Sequence, residues 1–492
     1  MMDSPRSSRK RNNISRRDFI AAAAVSTVLP VANLTQAFAA QAKSTVELSL
    51  KSRSSRVRLV PEPYNETDVW CYNDTVPGPE IRVRQGDRVR IRFDNSLAEE
   101  STIHWHGVRL PNEMDGVPGL TQKPVSPGST FVYEFDAIDA GTFWYHPHQR
   151  GFEQVGRGLY GSLIVEEPNP VRVDRDLTWV LDDWRLMKSA AISDDFANGH
   201  DMSHDGRVGN TVTINGRIPD TFEVRKGERI RLRLVNAANA RIFGLDFSEH
   251  NPVVIALDGQ PVSPHTPRDG RILLGPAMRA DLILDMPHDP GFRSTVTDVF
   301  YRDREYRFID IQYLETPLRK QTPNWPMELE SNPLPEPDLN DSIRHEVQFT
   351  GGMMGGMVLK QMGIEPKNNA DGKTESMMSM MHSNKIWFIN GVAAEGHVME
   401  PMLTLQRNRH YIIDMTNATA WHHPMHLHGH SFRVLTRNGK PTRYQEWQDT
   451  VLMAPRERVE IALVADNPGD WMFHCHVLEH MAAGMMGVIR VT

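Results

Sequence analysis

The sequence predicts an all-β protein made of three consecutive β-sandwich domains. Glycine and proline are plentiful, 34 and 33 of 492 residues, while helical periodicity is scarce. Short segments alternate apolar and charged residues with the period of two expected of half-buried strands. The same alternating unit, behind the same kind of lead-in, returns three times along the chain.

The first copy runs from Gly78 to Phe93, with apolar residues at odd positions and arginines at most even ones on either side of Gly86. It reads as two half-buried strands around a turn. A second copy spans Pro219 to Asn236, where Phe222, Val224, Ile230, Leu232 and Leu234 are predicted to point inward, and a weaker third spans Glu400 to Asn417. Tyr72-Asn73-Asp74, Ile214-Asn215-Gly216 and Ile389-Asn390-Gly391 precede them. The expected domains are residues 44–168, 169–318 and 342–492. Residues 319–341, proline-rich between Thr322 and Pro337, form the linker into the third.

Ahead of the first domain, residues 1–39 carry the order of an export signal. A polar, basic start leads to Ser15-Arg16-Arg17-Asp18-Phe19-Ile20, then an apolar run to Leu29, then small residues around a cleavage point after Ala39. The run is too short for a permanent bilayer span. The expectation is a twin-arginine signal, use of the twin-arginine export machinery, and a periplasmic location. No other membrane span is expected, and the chain reads as a monomer.

A net charge of -7 with dispersed basic residues argues against nucleic acid as a partner. The only cysteines are Cys71 and Cys475, so this is not a disulfide scaffold. Instead, Cys475 sits between His474 and His476, with His480 and Met485 close behind. In an extended strand Cys475 faces one way and its two neighbours the other, which joins a thiolate site to an imidazole site through one backbone segment. Cysteine, two histidines and a weak axial methionine are the ligands of a blue-copper centre.

Further histidines fall in strand spacing: His104-x-His106, His146-x-His148 and His423-x-x-His426-x-His428. With the Cys475 region they hold ten of the 21 histidines. Residues 141–148 echo 469–476, and His104-Trp105-His106-Gly107 echoes His426-Leu427-His428-Gly429, whereas the middle repeat has neither pair. A lone histidine is more often a packed core residue than a ligand, but four duplicated clusters are not chance. Zinc is the rival metal, since it accepts both residue types; it has no use for an axial methionine and passes no electrons.

On these four motifs, nearly the whole mature chain resembles the three-domain multicopper oxidases, the group of laccases and bacterial cuprous oxidases. The resemblance implies three cupredoxin-like Greek-key sandwiches and four copper ions. His423, Cys475, His480 and Met485 would hold the type 1 copper, and His104 and His426 the type 2. His106, His146, His148, His428, His474 and His476 would hold the type 3 pair, between domains one and three, with domain two as a spacer. Electrons would pass from substrate through Cys475 to His474 and His476, and dioxygen would be reduced to water. Met485, in place of an apolar residue, implies a moderate potential. Asp115 follows the first histidine pair as a similar acid does in this family and is the expected proton donor; a plain turn role before Gly116 is the alternative. The acid that enterobacterial cuprous oxidases carry after the last blue-copper histidine is Met481 here, so Glu479 is the weaker second candidate.

The reductant is read from methionine. Met353, Met354, Met357, Met362, Met377, Met378, Met380 and Met381 cluster in an insert over 351–381. Its glycines disfavour a packed helix, so it is expected to be exposed. Thioethers favour Cu(I), which points to cuprous oxidase activity in copper tolerance. Against this, Thr419 and Trp421 replace the Asp and Met that bind substrate copper in the enterobacterial enzymes. The alternatives are a laccase-like oxidase of phenols and aromatic amines, and a copper-binding protein without turnover. The stretch from His200 to Asp205 reads as a weak metal site or a solvated loop.

Overall fold

The computed structural model describes residues 44–365, 385–397 and 400–492. The expected signal and Met377, Met378, Met380 and Met381 lie outside these residues. Three pairs of facing sheets follow one another along the chain. In the first, Thr67–Tyr72, Thr45–Val57, Arg88–Asn95 and Thr130–Asp136 face Ile81–Arg84, Gly161–Glu166, Gly141–His146 and His104–His106.

One topology recurs in all three. Thr45–Val57 lies parallel to Arg88–Asn95, which lies antiparallel to Thr130–Asp136. Arg175–Trp184, Arg229–Asn236 and Arg279–Asp285 repeat the order, as do Ser342–Gly351, His410–Asn417 and Arg458–Val464. The three lead-ins are the same tight turn: φ is positive at Asn73 and Asp74, at Asn215 and Gly216, and at Asn390 and Gly391. Two adjacent left-handed residues define a hairpin turn whose twist suits the flanking strands, which is why Asn, Asp and Gly recur there.

Alternation holds in the first domain, where Val89, Ile91 and Phe93 are fully buried between outward arginines. The middle repeat departs from it. Ile230, Leu232 and Leu234 point inward as expected, but Arg229, Arg231 and Arg233 are buried as well. Domain one covers two of them: Arg231 pairs with Glu167 and Asp281, and Arg233 reaches Thr142 Oγ1 at 2.9 Å, while Arg229 pairs with Asp285 and bonds the Pro323 and Trp325 carbonyls. Buried guanidiniums are tolerated because each is paired.

Residues 314–341 contain no strand. Their hydrogen bonds tie them down, Asn332 to Ala140 and Gln260, and the Pro323 and Trp325 carbonyls to Arg229. Cys71 and Cys475 are both buried and unpaired.

The methionine insert corrects an expectation. Gly355–Met362 is an α-helix despite its glycines. Val358 is fully buried beneath it, and the end is closed by Gly363 in the left-handed conformation, with Gly363 N–H donating to the Lys360 carbonyl and Ile364 N–H to that of Leu359. An anchored face and this two-bond cap outweigh poor propensity. Met354 and Met357 are exposed as expected, while Met353 and Met362 are half-buried.

Candidate metal centre

Strand pairing assembles the histidines. His104–His106 runs antiparallel to Gly141–His146, with His104 opposite His146. His423–Leu427 runs antiparallel to Gly469–Cys475, with His426 opposite His474 and Met425 opposite Cys475. Directly opposed residues share a face, so His426 and His474 meet on one side while Cys475 joins His423 on the other. All ten histidines are at most 1% exposed.

Five triads bring ligand atoms within 4.8 Å of one another: His423 with Cys475 and His480; His106 with His146 and His476; His426 with His428 and His474; His104 with His148 and His428; and His104 with His106 and His426. Met485 is buried beside the first, its carbonyl accepting Cys475 N–H and its N–H donating to the His480 carbonyl.

The outer hydrogen bonds dictate what the inner nitrogens can be. His480 Nε2–H donates to the His204 carbonyl at 2.7 Å. His423 Nε2–H donates to Thr419 Oγ1 at 2.8 Å, whose own proton goes to Asn417 at 2.7 Å. Both Nδ1 atoms are then bare lone pairs, yet they lie 3.1 Å apart and 3.4 and 3.7 Å from Cys475 Sγ. The second site repeats the pattern. His428 Nδ1–H donates to Asp115 Oδ2 and His474 Nδ1–H to the Cys475 carbonyl, leaving their Nε2 lone pairs facing at 3.1 Å. His146 donates from Nδ1 to the Pro147 carbonyl and faces His476 Nε2 at 3.3 Å. Converging lone pairs repel unless a cation lies among them.

The remaining inner nitrogens agree. His104 Nε2, His106 Nδ1, His426 Nε2 and both nitrogens of His148 are buried with no hydrogen-bond partner among the described residues. Each such group costs about 1–3 kcal/mol unless it binds something. Burial, reinforced by neighbouring imidazoles, holds His106, His146, His148, His428, His474 and His476 well below the usual histidine pKa. Burial and the nearby His480 and His422 do the same to His423. Burial also lowers His480 to about 3, and pushes the Cys475 thiol up, so a metal must displace its proton. Neutral imidazoles beside one thiol form a soft, electron-rich donor set that fits copper.

Asp115 belongs to this shell. Its carboxylate accepts from His428, and its carbonyl accepts His104 Nδ1–H at 2.8 Å. Gly116 makes that approach possible: at φ +83°, an added Cβ would lie 1.9 Å from the Ile103 carbonyl oxygen. Glu479 is also buried, on the short helix Leu478–Ala482 rather than on a strand. Its carboxylate accepts Arg207 N–H and Asn239 Nδ2–H, both at 3.1 Å, and burial raises it to about 7. Met481 packs in the apolar cluster below.

Three features escape sequence reasoning. Asp449 Oδ1 lies 3.1 Å from His106 Nε2, and the Asp449 carbonyl accepts His426 Nδ1–H at 2.8 Å. Arg279, from the domain read as a spacer, holds that carboxylate at 2.6 and 2.8 Å. An acid in the otherwise uncharged stretch 447–453 was the available signal; Arg279 carried none. Third, Trp387 lies against both thiolate-site imidazoles, its ring 4.3 Å from His480 and 5.0 Å from His423.

The stretch from His200 to Asp205 is not a solvated loop. It forms the short helix Gly199–Ser203, and Asp201 is buried on Arg185. Three successive carbonyls at its end accept from domain three: Met202 from Trp387 Nε1 (2.7 Å), Ser203 from Met353 N–H (2.8 Å) and His204 from His480 Nε2–H (2.7 Å). Carbonyls at a helix end have no intrahelical donor, and here the domain interface supplies them.

Three family models, each described as multicopper oxidase, match residues 54–170, 175–292 and 368–492. The chain is similar to a multicopper oxidase of Mycobacterium tuberculosis, 29% identical over 84% of this chain and 81% of that one. A copper resistance protein A homolog of Pseudomonas syringae is 25% identical over 97% and 99%. The crystal structure of a multicopper oxidase from Pseudomonas thermotolerans superposes with a TM-score of 0.79, at 34% identity over 92% of this chain and all of that one.

Proposed function

The chain belongs to the multicopper oxidase family, copper-dependent oxidoreductases with dioxygen as acceptor, and from that premise we propose that its reductant is Cu(I) and its role copper tolerance. In this reading His423, Cys475, His480 and Met485 hold a type 1 copper, His104 and His426 a type 2 copper, and His106, His146, His148, His428, His474 and His476 a type 3 pair. The lone pairs facing each other across His423–His480 and His428–His474 carry the assignment. Four coppers held by these residues would supply one-electron storage for the reduction of dioxygen to two waters, which consumes four electrons and four protons.

The chain's own groups do the rest. The peptide bonds from Cys475 to His474 and His476 give a covalent route between the two sites. Asp115 orients His428 and is the proposed proton donor, with Glu479 a second carboxyl in the relay. Each outer hydrogen bond locks one imidazole tautomer, which preorganises the ligands. The cuprous assignment is supported by Met354 and Met357, exposed on the segment that Met353 ties to Ser203, the neighbour of the His204 carbonyl that accepts from His480, and by similarity to a protein named for copper resistance. Residues 1–39 support export by the twin-arginine machinery to the periplasm. Among the described residues, no helix is long and apolar enough to cross a membrane.

Oxygen uptake by the copper-loaded enzyme, driven by Cu(I) or by a bulky phenol, tests the reading. Cu(I) is expected to be the better donor, and Met354→Leu with Met357→Leu to slow Cu(I) turnover selectively. Uptake with the phenol alone would support the laccase-like alternative; uptake with neither would leave a copper-binding protein.

A further inference from the structure

Neither imidazole of the thiolate site presents its outer tip to solvent. His423 is covered by Thr419 and His480 by the His204 carbonyl, and all four groups are buried or part of the domain interface. A donor ion therefore has to dock one layer further out. Just outside the His480 contact stands a pair of imidazoles that the resident metal sites do not use. His200 and His204 stack with ring centroids 4.1 Å apart and planes 7° off parallel. His200 lies on the helix Gly199–Ser203 and His204 is the non-helical residue that ends it, so the pair keeps the four-residue spacing of a two-imidazole metal ligand across the helix end.

Their surroundings suit that use. The His200 side chain is 71% exposed, which leaves its ring free to turn out of the stack, as sharing one ion requires, because the nitrogen lone pairs of two parallel rings cannot converge. His204 Nδ1–H is committed to the His200 carbonyl at 3.0 Å, and no hydrogen bond among the described residues occupies its Nε2. The intervening Asp201 is held by Arg185 and Asn198, which fixes the helix, and its carboxylate stands 3.8 Å from His200 Nδ1, where it adds negative charge beside the pair. Ser203 is bonded to Met353 N–H, and Trp421 bridges the two segments, its Nε1–H on the Met353 carbonyl at 3.1 Å and its ring 5.3 Å from His204. Met354, 47% exposed, is the next residue after the Met353 backbone that is anchored there.

We propose that His200 and His204 form the docking site of the donor Cu(I), completed by the Met354 thioether, and that its electron enters through the His204 carbonyl hydrogen bond to His480. This rests on the cuprous reading above. The step is a one-electron oxidation: Cu(I) leaves the patch as Cu(II), no bond to carbon or oxygen is made or broken, and the electron passes to the Cys475 site. Imidazole binds either copper ion, and the Met354 thioether is the soft ligand that favours the cuprous one, so it is the thioether that weights the patch toward the substrate.

The test is an anaerobic titration of the reduced, copper-loaded enzyme with Cu(I) against a chromophoric Cu(I) chelator. The wild type is expected to take up one Cu(I) beyond its resident metal. His200→Ala alone should weaken that uptake by about tenfold or more, and His200→Ala with His204→Ala should abolish it. Resident copper content and the thiolate absorption band serve as the check on folding. The same extra uptake in the double variant would overturn the site. Extra uptake lost in the variants, in a wild type that consumes no oxygen with Cu(I), would support the site while overturning the cuprous oxidase reading.

Discussion

Arg279 of the second domain grips Asp449 of the third through two hydrogen bonds, at 2.6 and 2.8 Å, with neither side chain more than 1% exposed. The same carboxylate touches His106 of the first domain at 3.1 Å. Three domains thus meet on one ion pair beside the histidine cluster. The Arg279 charge, working against burial, holds Asp449 below the usual carboxylate range. Gly107 leaves the room: an added Cβ would fall 2.3 Å from Arg279 and 2.4 Å from Asp449.

Arg279→Met should therefore strand a buried carboxylate, at a cost of about 3–5 kcal/mol. The expected result is a lower thermal midpoint together with loss of copper bound by His104 and His426, read from metal content and the type 2 electron paramagnetic resonance signal. Arg279→Lys should fall between, since an ammonium cannot reproduce the bidentate contact. Wild-type copper content in the Met variant would show that the pair is structural only.

Cys475→Ser should remove the thiolate absorption band and one copper per chain while leaving the trinuclear histidines loaded. Oxygen uptake should drop to background with every reductant. Retained uptake would mean that electrons reach the cluster without Cys475.

Asp115→Asn keeps an oxygen for His428 Nδ1–H but has no proton to give. Reduction of the thiolate site should stay at the wild-type rate, and reoxidation by dioxygen should slow by about 10²-fold. Asp115→Ala should in addition lose copper, because His428 loses its anchor. Equal reoxidation in the Asn variant and the wild type would make Asp115 a positioning residue and not a proton donor.

Asp258 bears on pH. It accepts Arg279 N–H at 2.9 Å and Thr450 N–H at 3.2 Å, and burial together with the Asp449 charge raises it to about 7. A carboxyl that binds its proton more tightly when folded contributes stability below its unfolded pKa of about 4, and that contribution is lost as pH rises through about 7. Asp258→Asn should flatten this loss, narrowing the stability difference between pH 4.5 and 7.5 by about 3 kcal/mol. Denaturant midpoints across that range would check it, and parallel curves for the two proteins would refute it.

Much of this was legible in the sequence because it is written locally. A strand repeats every two residues, so Val89, Ile91 and Phe93 announced their inward face, and His104-x-His106 announced two ligands in register. The Cys475 neighbours followed the same geometry. What stayed hidden is non-local. Arg231 and Arg233 sit where a solvent-facing residue would, and only the neighbouring domain buries them. Asp449 and Arg279 look like ordinary strand charges until the fold brings positions 170 residues apart into contact. The helix Gly355–Met362 was misjudged because propensity was weighed without the buried anchor at Val358.

His146 and His476 face one another at 3.3 Å although 330 positions separate them along the chain. A metal held there ties the two ends of the protein together as a disulfide would, and closing so long a loop restricts the unfolded chain by roughly 6 kcal/mol on the chain-entropy account. Unlike a disulfide, this staple needs no oxidant to form and no reductant to open. If copper is that metal, resistance to unfolding and proteolysis is expected to rise with copper occupancy.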